Sequence, residues 1–203
     1  MELNPYESPL HPSERHNKPA PWWSQALQFC GVSVGVGVLL GSLANVLNGW
    51  VCPEYFVLVM GWENDSLLWP RAILQGAFEG LVIGAILSLA FFGVGSWLTS
   101  YRLTYERALR YLMAITFAAV SAAVILGLIL LALNDALAEF LDTEYSPDMR
   151  RRFGWVAGCI CGLEQGGALA AFFFLIVLIV RDWRKNRPAA VAAPADAKTV
   201  VAD

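Results

Sequence analysis

The chain has 203 residues, of which 57% are hydrophobic and only 15% charged, and its net charge is -3. A soluble domain carries charged residues at about a quarter of its positions, so the surplus of apolar side chains belongs in lipid. The few basic residues sit at the ends of apolar runs, which leaves no basic face for nucleic acid.

Residues 1–25 carry Pro5, Pro9, Pro12, Pro19 and Pro21 among polar residues, a composition unable to bury apolar surface, and predict a disordered tail. Four long apolar runs follow, and about 20 apolar residues suffice to cross the hydrocarbon layer. They predict helices at 26–48, 72–97, 108–133 and 154–180, so that residues 26–180 form an all-α, four-span integral membrane bundle. No small-residue cleavage site follows the first span, which therefore reads as a retained helix. In the first loop, Tyr55 to Met60 is apolar behind Pro53, as in a short interfacial helix or re-entrant turn. Residues 181–203 are a basic run (Arg181, Arg184, Lys185, Arg187) and then a low-complexity Ala-Pro tail.

Tryptophan and charge check this layout independently. All eight tryptophans (Trp22, Trp23, Trp50, Trp62, Trp69, Trp97, Trp155, Trp183) fall at or just outside a span end, where indole rings settle at the headgroup level. Both tails and the second loop (Arg102, Arg107, Arg110) hold ten of the 14 Lys and Arg, which by the positive-inside rule predicts that both termini are cytoplasmic, in a multi-pass protein of the cell inner (cytoplasmic) membrane. The triplet Arg150, Arg151 and Arg152 on the outer side dissents, beside the acids Asp135, Glu139, Asp142, Glu144 and Asp148.

The two hairpins also resemble each other. Leu40-Gly41 precedes Leu47-Asn48 as Leu126-Gly127 precedes Leu133-Asn134; a Glu-Tyr step follows each (Glu54-Tyr55, Glu144-Tyr145). Then come glycines four apart: Gly76, Gly80 and Gly84 in one hairpin, Gly158, Gly162 and Gly166 in the other. This pattern predicts two parallel two-helix repeats about an axis normal to the membrane. Residues four apart share a helix face, and glycine admits close backbones, so the rows read as glycine-zipper seams, packing within the chain or joining copies in a homo-oligomer.

The segments Asn4-Pro5-Tyr6-Glu7-Ser8-Pro9, Asn48-Gly49-Trp50-Val51-Cys52-Pro53-Glu54-Tyr55-Phe56 and Gln75-Gly76-Ala77-Phe78-Glu79-Gly80 resemble a family of small bacterial four-span membrane proteins. The likeness covers most of the chain between the tails. It implies the architecture and no chemistry, since no activity is attached to that family.

Motifs for catalysis are missing. The only histidines, His11 and His16, lie in the tail, no Asp lies within a span, and no phosphate loop or nucleophile elbow is present, so an enzyme and a histidine-held metal are not expected. Of the cysteines, only Cys52 lies in a loop, while Cys159 and Cys161 point about 200° apart on a helix. All four, with Cys30, read as packing residues, with no disulfide framework, metal or cofactor expected.

Two carboxylates remain inside the spans, Glu79 and Glu164, with Gln75, Gln165 and, at the outer edge, Arg71 as candidate companions. An ionisable group costs about 2.5 kcal/mol or more at the bilayer centre, so it faces protein or a water-filled path. Two readings follow: a protein acting through helix packing or a membrane partner, in which the acids tie helices together, or a small channel or transporter lined by them. Helix four carries small residues on two sides and is expected to be the most enclosed span, with Glu164 turned toward protein.

Overall fold

A computed structural model of the chain describes residues 21–62, 66–100, 103–133 and 146–186. The tail residues 1–20 and 187–203, Asp135 and the Glu144-Tyr145 step lie outside those residues. The described chain is helical: α1 (Trp22–Val51), α2 (Pro53–Met60), α3 (Leu68–Ser88), a π-helical stretch (Leu89–Val94), α4 (Gly95–Leu98), α5 (Tyr105–Ala132) and α6 (Pro147–Asn186). The π stretch joins α3 to α4, so that Leu68–Leu98 is one long helix. Four helices are long and apolar enough to cross a membrane: Trp22–Val51, Leu68–Leu98, Tyr105–Ala132 and Pro147–Lys185. The molecule is an all-α, four-span membrane bundle.

The first and last helices, α1 and α6, outrun their expected spans of 26–48 and 154–180, because flanking tryptophans and arginines continue the helix. Trp22 and Trp23 open α1, and Arg181, Arg184 and Lys185 prolong α6. In the first loop, α2 starts on Pro53, whose missing N–H costs nothing in a first turn, and ends on Gly61 in the left-handed region (φ 65).

Two antiparallel hairpins make up the bundle, α1 with α3 and α5 with α6, and contact within each hairpin far exceeds contact between them. Glycine explains the first pairing. A Cβ on Gly76 would strike the carbonyl oxygen of Gly41, and one on Gly80 that of Gly37, so α1 and α3 approach backbone to backbone. Side chains bracket this seam: Ser33 Oγ donates to the Gly84 carbonyl and Asn45 Nδ2 to the Ala72 carbonyl, each at 3.1 Å. Along the second hairpin, Gly158 lies against Leu126 and Gly127, Gly162 against Ala122 and Ala123, and Gly166 against Ala122. Both glycine rows thus sit against helices of the same chain.

The hairpins meet chiefly at their two ends. At the proximal end, Gln25 Oε1 accepts from the backbone N–H of Tyr105 at 3.0 Å, tying the start of α1 to the start of α5. There Phe29, Phe91, Phe92, Tyr111, Leu112 and Leu178 form one buried cluster, with Phe29 stacked on Phe92 at 5.3 Å. The wider π turn swings successive side chains through a smaller angle, and the neighbours Phe91 and Phe92 are both buried. At the distal end, Cys52, Tyr55 and Phe56 pack with Leu68, Ala72 and Val156, and Tyr55 lies 5.1 Å from Phe153.

The fourth span, α6, is not the most enclosed one. In the most apolar window of Leu68–Leu98, 33% of residues are buried, against 22% in that of Pro147–Lys185. The reason is the pairing: the Leu68–Leu98 helix packs its glycines on α1 and its phenylalanines into the proximal cluster, whereas α6 leaves Leu169, Phe172 and Phe173 outward.

Candidate functional site

Between the proximal and distal clusters the two hairpins stand apart. Along α1 and α3 the glycine contact leaves no bulky side chain to fill the middle of the bundle, and a cavity of about 90 Å³ remains between α1, α3, α5 and α6. Its walls are apolar, including Leu40, Ile83, Leu112 and Ile160, and its polar lining consists of Ser33, Asn45, Glu79, Thr116 and Glu164. Glu79 comes from α3 and Glu164 from α6, so the cavity gathers one carboxyl from each hairpin.

A groove of about 460 Å³ adjoins it between α3 and α6, two helices that touch at few points. It runs lengthwise past Gln75, Phe78, Glu79, Val82 and Ile86 and is bordered across from them by Glu164 and Ala168. Both acids line both spaces and are half-buried. Among the described residues no Lys, Arg or His lines either space.

Among the candidate companions, Gln75 belongs to the site: its Nε2 donates to Glu79 Oε1 at 2.6 Å across one helical turn. Gln165 is exposed and lines neither space, and Arg71 stands two turns before Glu79 at the head of α3, also outside both. The glycines Gly37, Gly41, Gly80, Gly84 and Gly167 form part of the cavity wall. Gly76, Gly158, Gly162 and Gly166 serve helix contact alone.

Sequence reasoning passed over Ser33, Asn45 and Thr116. They are ordinary polar residues in apolar helices, and only the tertiary placement of their helices turns them inward. Tyr55 was also missed as a neighbour of the acids. Burial pushes its phenol above the usual value, and the acidic groups of Cys161, Glu164 and Glu79 add to the shift.

Among the described residues no group of three or more His, Cys, Asp or Glu is placed to hold a metal ion. Cys52 and Cys161 illustrate the scatter of thiols: the first is buried at the distal end, the second exposed on the flank of α6. No protein-family model, curated protein or solved structure matches the chain.

Proposed function

We propose that this four-span protein is a non-enzymatic binding or transport protein of the bacterial inner membrane, with both termini cytoplasmic, that takes a proton or a cation at Glu79 and Glu164. The observation that carries this reading is the shared cavity. Two carboxyls from different hairpins line one apolar space, and no basic residue lines it among the described residues. An ionised carboxylate without a partner is too costly in such a place, so each acid either holds a proton or neutralises a cation. A site that must exchange one for the other is the elementary unit of cation-coupled transport. The weak seam between the hairpins supplies a plane along which they can move, while the glycine contacts keep each hairpin rigid.

One observation favours a structural role instead: the 2.6 Å bond from Gln75 gives Glu79 a partner on its own helix. Proteoliposomes loaded with a pH-sensitive dye separate the two. Under an imposed potential, wild-type protein should carry protons or exchange them for cations above the rate of empty vesicles, and Glu164→Gln should abolish the flux with its unfolding temperature unchanged. If Glu164→Gln is silent and Glu164→Leu destabilises the protein, the acids are packing groups and the transport reading fails.

A further inference from the structure

Glu79 and Glu164 line a groove on the flank of the bundle as well as the inner cavity. Beyond the cavity, buried side chains pack both ends of the bundle: Phe29, Phe91 and Phe92 proximally, each at most 2% exposed, and Cys52, Phe56 and Val156 distally, each at most 1% exposed. The side between α3 and α6 is open along the groove, and its rim is apolar, with Phe78 64% and Ile86 59% exposed. A hydrated inorganic ion arriving there would have to cross acyl chains. A cation with an apolar body already resides at that level of the bilayer.

We propose that the groove between α3 and α6 admits a monovalent organic cation from the bilayer, such as a protonated hydrophobic amine or a quaternary cation, and seats its charge between Glu79 and Glu164. This inference rests on the transport reading and names its substrate class. Size agrees, because about 460 Å³ lies within the range of drug-sized pockets, roughly 300–1,000 Å³, whereas the inner cavity of about 90 Å³ has room only for a head group or a few waters. Charge agrees as well. One positive charge against one ionised carboxylate, with the second carboxyl protonated, leaves the membrane interior neutral. Val82 and Ile86 lie along α3 on the lengthwise path that the apolar body would follow.

The test is equilibrium binding of radiolabelled tetraphenylphosphonium to the full chain in lipid nanodiscs, with empty nanodiscs subtracted. Wild-type protein should bind it saturably. Glu164→Gln should weaken binding at least tenfold, and Ala168→Trp, which fills the groove from an exposed position, should abolish it. Sodium and methylammonium should displace the probe at least 100-fold less well than a long-chain alkylamine does. Absence of saturable binding, binding unchanged in both variants, or displacement by sodium as effective as by the alkylamine overturns the inference. Proton flux that depends on Glu164, measured in the same preparation, shows whether the transport reading stands when the lipophilic cation does not bind.

Discussion

Individual side chains in this protein are governed by what surrounds them. Cys52 lies outside the spans, fully buried at the end of α1, with its Sγ donating to Glu54 Oε2 at 3.5 Å. Burial, aided by the Glu54 carboxylate, pushes its thiol from 9.0 up to about 11. The fold thus holds the proton more tightly than the unfolded chain does. The associated stability is complete below pH 9.0 and is lost as pH rises through about 11. The same shift keeps Cys52 inert near neutrality, because only the thiolate reacts. In a variant with Cys30, Cys159 and Cys161 changed to Ala, iodoacetamide at pH 8 should label Cys52 on the order of 100-fold more slowly in the native protein than in SDS. Equal rates would show an open, unshifted thiol. The acids follow the same logic of surroundings, but their surroundings come from a second helix. A helical wheel places Glu79 relative to Gly76 and Glu164 relative to Gly162; it says nothing about Glu79 relative to Glu164. For that reason the two residues were legible in the sequence as costly intramembrane groups, and their common cavity was not.

Among the helices, the glycine rows carry the strongest physical constraint. Gly80 faces the backbone of Gly37 and Val38, and Gly162 that of Ala122 and Ala123, so an added side chain meets main chain that cannot rotate away. Gly80→Leu and Gly162→Leu should each lower stability by about 1–3 kcal/mol or more, as overpacking does in tight cores. Gly35→Leu, where a Cβ meets nothing within 4 Å, is the control and should change little. Thermal unfolding in mild detergent reads the difference; equal midpoints for Gly80→Leu and Gly35→Leu would mean the seam is loose. The spacing of the rows was readable because glycines four apart must share a face. The π stretch at Leu89–Val94 was not, since Leu-Ala-Phe-Phe-Gly-Val has no pattern that distinguishes a wider turn from an α-helix. The burial of adjacent Phe91 and Phe92 depends on Phe29 and Tyr111 arriving from other helices.

For the whole molecule, the four spans were evident from apolar length, and the tight pairing within each hairpin follows from glycine. The order in which the hairpins lean together follows from the proximal and distal clusters, which combine residues up to about 150 positions apart in sequence, such as Phe29 and Leu178. The shared end of α1 and α5 agrees with an even number of crossings between them. Reporter fusions after Trp62 and within 135–150 should therefore score on the outer side and a fusion at Tyr105 in the cytoplasm, as the Lys and Arg distribution directs. A cytoplasmic score from the 135–150 region would mean that Arg150, Arg151 and Arg152 decide the topology and that the four-span orientation is wrong.

The central claim is that one carboxyl from each hairpin faces a common cavity between α1, α3, α5 and α6. Its most direct test is cross-linking of Glu79→Cys with Glu164→Cys in a chain whose native cysteines are replaced by Ala. A short membrane-permeant bismaleimide should yield a peptide joining positions 79 and 164, identified by mass spectrometry, and Glu79→Cys paired with Gln165→Cys should yield far less, because Gln165 is exposed outside both spaces. Efficient labelling of both cysteines with no 79–164 link, or an equal link from Gln165→Cys, would contradict the account.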